Sequence, residues 1–222
     1  MLAAARRHGL VSYQLAPRLE DVLREIAAGT PVVLLQNLGF RDGWHYAVAM
    51  GYDYDSGEVI LRSGVTQREV LPFTVNEFVW RRSGYWAMVA LPPERIAATA
   101  DEQRWLAAVA ALEGAGNAAA ARTAYSTFLK RWPDNLNAAI GLANAHYALG
   151  ALEEAERVLR DAARREPDSV IVLNNLAQTL SDQGRHAEAL PYIERAAAAG
   201  GPFSAAVAET RATIRKRLHK PD

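Results

Sequence analysis

The 222 residues contain no cysteine. That excludes disulfides, thiolate zinc sites and a thiol nucleophile among these residues. It leaves the compartment open, because a cysteine-free chain is stable in any redox environment. An excess of either charge is missing too. Lys and Arg total 25, as do Asp and Glu, with ten of each sign in residues 1–100 and fifteen of each in 101–222. Neither half has the basic surplus that neutralising a phosphate backbone requires, so nucleic acid is not an expected partner. No apolar run approaches the roughly 18–20 residues of a membrane span. The opening MLAAARRHGL sets its apolar patch ahead of its arginines, the reverse of a secretory signal. The expectation is a soluble protein, half hydrophobic, with room for two modest domains.

The second half repeats itself. Pro133 and Pro167 are 34 residues apart, and so are the members of the series Gly116, Gly150, Gly184 and Ala121, Ala155, Ala189. In the stretch 136–169, Leu142-Ala143, Gly150, Ala155, Leu159, Ala162 and Pro167 stand at the offsets of a helical hairpin. Residues 170–203 repeat Leu176-Ala177, Gly184, Ala189 and Ala196, then slip by one to Pro202. The unit at 102–135 is looser, keeping Trp105, Gly116, Ala121 and Pro133. Small residues let paired helices approach, glycine ends the first helix, and proline punctuates the exit from the second. This pattern resembles the tetratricopeptide repeat. Three repeats need a polar cap. Residues 204–219 supply an amphipathic helix, with Ala206, Thr210, Ile214 and Leu218 read as inward and Arg211, Arg215 and Lys216 as outward.

The first half has other periods. PRLEDVLREIAAG (17–29) reads as a helix with Leu19, Val22, Leu23 and Ile26 on one face and Gly29 as its stop. PVVLLQ (31–36) reads as a buried strand, and HYAVAMGYD alternates with period two before the turn DYDSGE leads into VILRS, a hairpin. A helix near 74–81 and a strand at 84–92 complete an α+β half with a small, mostly antiparallel sheet. The expected organisation is this half at 1–92, a linker at 93–101, three all-α repeats at 102–203, and a capping helix and tail at 204–222.

A helix, then a PV-led apolar strand, then a strand opening HYAV and closing GYD resembles the C-terminal lobe of papain-like cysteine peptidases. The likeness is to the bacteriocin-processing group that cuts after double-glycine leaders, and it covers residues 17–92. The resemblance implies that His45 occupies the general-base position, flanked by Trp44, Tyr46, Gly51, Tyr52 and Asp53. A base of this kind turns a thiol into a thiolate at neutral pH, and a third group fixes its tautomer. The orienting position falls in LRSG (61–64), where Ser63 can accept a hydrogen bond but brings no charge. The family's cysteine is absent, so this chain alone is expected to lack thiol hydrolysis. Two accounts follow. Met1 is an internal methionine of a longer peptidase whose nucleophile lies upstream, or the lobe is a pseudopeptidase serving as an adaptor. An upstream export signal would imply the periplasm or cell envelope; otherwise the cytoplasm is expected.

Other chemistry is thinly represented. None of the eight serines sits in G-x-S-x-G. DYDSGE is one residue short of a calcium loop, and His8, His146, His186 and His219 lack metal-ligand spacing. Hence no metal and no cofactor are expected. Trp44 and Tyr46 read as packing residues. The first helix of each repeat lines the concave groove, and the groove offsets carry Asn137, Asn144, Tyr147, Asn174 and Gln178. Amides can hold an extended peptide backbone. A protein or peptide partner is therefore expected at the repeats, and a homodimer is possible if the lobe exposes apolar surface.

Overall fold

A computed structural model describes residues 1–39 and 43–219 and divides into two units, Met1–Ala120 and Ala121–Asp222. The first unit is built on six strands: β1 (Val11–Gln14), β2 (Val32–Asn37), β3 (Trp44–Asp53), β4 (Glu58–Ser63), β5 (Thr66–Pro72) and β6 (Ala87–Leu91). They form one sheet in the order β1-β6-β2-β3-β4-β5, with every pairing antiparallel. Alternation sets which face is buried. Val32 and Leu34 of β2 oppose Ala49 and Ala47 of β3, and Leu61 of β4 continues the row, all fully buried. A bulge between Ala49 and Gly51 shifts the register so that Tyr52 meets Val59. At Gly51 a Cβ would come within 3.2 Å of Ile60, a close approach that favours glycine.

Among the described residues four α-helices accompany the sheet: α1 (Leu2–Arg7), α2 (Leu19–Ala27), α3 (Phe73–Trp80) and α4 (Glu102–Glu113). The hydrophobic face of α2 buries Val22 and Leu23 as its periodicity requires, and it also buries Glu25. One oxygen of Glu25 accepts from both the backbone N–H and the hydroxyl of Thr99, each at 2.7 Å. The segment read as a linker at 93–101 is therefore packed against the sheet unit, with Ala97 fully buried. The boundary also differs from the repeat period. The period starts the helical half at 102, whereas compactness divides the chain after Ala120. Trp105 of α4, 1% exposed, meets Tyr13 of β1 edge-on at 5.3 Å, which fastens α4 to the sheet.

The second unit takes α5 (Ala118–Arg131) from Ala121 onward, then α6 (Leu136–Ala148), α7 (Leu152–Arg165), α8 (Val170–Asp182), α9 (His186–Ala199) and α10 (Ser204–Leu218). Helix α6 packs on α7, α7 on α8, α8 on α9, and α10 on α9. Gly150 and Gly184 sit just past α6 and α8 with φ of +75° and +80°, the left-handed conformation that ends a helix without a Cβ clash. Ala121, Ala155 and Ala189 are fully buried. Gly141 meets a different need: a Cβ there would lie 2.2 Å from the Tyr125 ring. The Pro-Asp turns at 133–134 and 167–168 are each held by an arginine from a later helix. Arg165 donates to the Pro133 carbonyl at 2.9 Å, and Arg195 to that of Pro167 at 2.8 Å. Position 199, one period after Arg165, is alanine, so Arg195 does the same task from about one helical turn earlier.

The cap departs from its expected faces. Its buried residues are Val207, Thr210 and Ile214, while Ala206 is exposed and Leu218 is 37% exposed. A four-residue spacing drifts round a helix by some 40° per step, so a stripe from 206 to 218 cannot stay on one side. The basic residues are not simply solvated either. Arg211 and Arg215 both pair with Glu194 of α9, and Arg217 pairs with Asp182 of α8 at 2.6 Å. Residues 220–222 of the expected tail lie outside the described residues.

Candidate functional site

In the sheet unit, β3 carries His45 on the face shared with Ala47 and Ala49. Gln36 lies directly across on β2, and Ser63 sits diagonally on β4. The structure brings His45 and Ser63 together, with Nε2 and Oγ 3.2 Å apart. Either the imidazole donates to the hydroxyl or the reverse, according to tautomer. Gln36, 1% exposed, donates to Asn76 Oδ1 of α3 at 2.8 Å, while Asn76 Nδ2 is buried with no acceptor among the described residues. The opposite face of β3 is open. Trp44, Tyr46 and Met50 are 53%, 45% and 48% exposed, so Trp44 and Tyr46 are not core residues. Tyr46 makes one edge-on contact, with Trp86 at 5.7 Å.

In the helical unit, Asn144, Tyr147, Asn174 and Gln178 surround one cavity of about 150 Å³ between α6 and α8, floored by Ala143, Leu159 and Thr179. Asn137 does not line it; it stands exposed in the first turn of α6. The spacing works because α6 and α8 occupy equivalent places in successive hairpins, and residues three or four apart share a helix face.

A residue next to the expected set links the two helices. Asn175 donates to Asn144 Oδ1 at 3.1 Å and accepts from Asn174 Nδ2 at 3.3 Å. Asn174 Oδ1 is buried and finds no donor among the described residues. At the far end Asp182 gathers three donors. Tyr147 O–H reaches it at 2.5 Å, Gln178 Nε2 at 2.7 Å and Arg217 Nη1 at 2.6 Å. Burial pushes the Asp182 carboxyl up, but the bonds from Tyr147, Arg217 and Gln178 outweigh it and hold the group below the usual carboxylate range. The same bond to Asp182, aided by burial, holds the Tyr147 phenol above its ordinary value. Asn175, Asp182 and Arg217 were not legible as site residues. Asp182 had a usable signal, since it lies four residues after Gln178 on one helix face.

Comparison with known proteins bears on this unit. Residues 112–171 and 152–205 match two tetratricopeptide repeat families. Residues 112–205 are similar to tetratricopeptide repeats. The matched stretch begins at 112, inside the looser first period of 102–135. No curated protein matches the chain. The tetratricopeptide matches support a protein-binding module and protein partners, and they lend no support to the peptidase likeness of residues 17–92. Among the described residues no helix is long and apolar enough to cross a membrane.

Proposed function

We propose that the chain is a peptide-binding adaptor whose tetratricopeptide groove takes an extended segment of a partner protein between α6 and α8. The observation that supports this is the convergence of Asn144, Tyr147, Asn174 and Gln178 on one cavity with an apolar floor. Amides around the rim offer donors and acceptors to a peptide backbone, and the floor accepts a side chain. The test is selection of linear peptides on the intact chain, repeated with Asn144→Ala and Asn174→Ala. Peptides enriched by the wild type should lose at least tenfold in affinity on either variant. Undiminished binding would remove the groove from the reading.

A second reading concerns the sheet unit. His45 and Ser63, 3.2 Å apart, suit the base and orienting positions of a papain-like lobe. Since the chain holds no cysteine, its thiol would have to come from outside these residues. A pH titration of the His45 ring nitrogens by NMR tests it. An accessible imidazole that titrates with one fixed tautomer supports a presented base, and one that never titrates assigns His45 to packing.

A further inference from the structure

Two residues that line the groove, Tyr147 and Gln178, are backed by one carboxylate already in use. Asp182 Oδ2 accepts from Tyr147 of α6 and Gln178 of α8, while Oδ1 accepts from Arg217 of the capping helix. Arg217 also donates to Ser181 at 3.0 Å, so two contacts seat the guanidinium. The consequences for a ligand are specific. Tyr147 presents a wall rather than an open donor, because its one hydrogen is turned toward Asp182, and Gln178 spends one of its two amide hydrogens on the same carboxylate. The Asp182 charge is matched by Arg217, so neither a carboxylate nor an ammonium finds an uncompensated partner there. None of the residues lining the cavity is lysine or arginine. Of the buried polar atoms among the residues lining the cavity, Asn174 Oδ1 is the one with no partner among the described residues, an acceptor wanting an N–H. Beside it the cavity of about 150 Å³ is on the scale that holds a benzene-sized group.

We propose that Asp182 and Arg217 together set the specificity of the groove for an uncharged extended peptide segment. One backbone N–H of that segment donates to Asn174, and one apolar side chain fills the cavity. This rests on the groove reading above and adds the ligand class and the residues that enforce it. Arg217 acts through Asp182 and does not touch the ligand. Removing it uncovers the carboxylate and turns the groove toward cationic peptides.

The experiment uses the full chain and pentapeptides with acetylated and amidated ends, Ala-Ala-Xaa-Ala-Ala, where Xaa is Leu, Lys or Asp. Affinities are read from the side-chain amide resonances of Asn174 and Asn175. Wild type should bind the Leu peptide about tenfold or more tightly than the other two, since a charge left unpaired in a recess is disfavoured. Arg217→Ala should shift the Leu-to-Lys ratio toward Lys by about tenfold, and Asp182→Asn added to it should restore the preference for Leu. Arg215→Ala loosens the same helix at Glu194 and should leave the ratio where it was. A ratio indifferent to Arg217→Ala, or one moved equally by Arg215→Ala, overturns the proposal while leaving peptide binding intact. Failure of every peptide to bind the wild type overturns the groove reading and the proposal together.

Discussion

The two units solve the same problem with different means. In the sheet unit the contacts join distant parts of the chain, as when β1 pairs with β6, and the polar groups that go inside are bonded individually. Gln36 finds Asn76 forty residues away, and Glu25 finds Thr99. In the helical unit neighbouring hairpins supply nearly everything. Its interior is mostly aliphatic, alanine and leucine above all, and its charges sit nearer the surface in pairs such as Arg211–Glu194 at 2.7 Å. The first arrangement fixes one topology, because each buried polar group has one partner that suits it. The second tolerates variation from repeat to repeat, because the demand at most positions is only for something small or something apolar.

That contrast can be broken most sharply at Trp105. By the 34-residue period it belongs to the repeats, yet it packs on Tyr13. Trp105→Ala should cost about 3–5 kcal/mol. The loss should appear in the unfolding transition followed by near-ultraviolet signals of the sheet unit. A loss confined to the helical transition would return α4 to the repeats. Next comes Gly141→Ala. Alanine is the better helix former, but its methyl would press on the Tyr125 ring, so a net loss of about 1–3 kcal/mol is expected in urea melts. Tyr125→Ala in the same chain should make the substitution at 141 nearly neutral.

Acid offers a gentler probe of the helical unit. Burial, with help from the nearby Arg122, holds the His146 imidazole below its ordinary range. Its Nδ1 is buried without a partner among the described residues. The unfolded chain therefore takes up this proton first. Stability is complete above the unfolded value of 6.5 and falls as pH drops from there toward the lower folded value. Thermal melts between pH 7 and 5 should show this, and His146→Gln should flatten the dependence. The smallest effect is expected for Glu194→Ala, which frees Arg211 and Arg215 of the cap at a half-buried surface position. A loss of roughly 0.5–1 kcal/mol, shrinking in high salt, is the expected outcome.

The sequence disclosed most where the requirement is local. Gly150 and Gly184 were visible as repeat markers because a left-handed helix end admits little else, and Ala155 and Ala189 because close helices exclude larger side chains. The central hairpin showed itself by alternation in HYAVAMGYD. The outer strands did not. β1 has four residues, too few for a period, and the polar TQRE that opens β5 carries no apolar alternation. The packing of 93–101 was not legible because its anchor, Glu25, lies more than seventy residues away in sequence. The cavity was partly legible because groove offsets follow from the repeat. Asp182 and Arg217 escaped because their roles depend on how α10 returns across α8, which no local pattern encodes.

The arginine ties on the Pro-Asp turns bear on how such a chain can lengthen. Arg165 holds the turn at Pro133, and Arg195 holds the one at Pro167. Each tie joins a turn to the second helix of the hairpin that follows it. A gene duplication spanning one period would therefore copy a turn together with the arginine that secures it. The new hairpin would arrive with its own fastening, and the array could gain a member without any compensating change elsewhere.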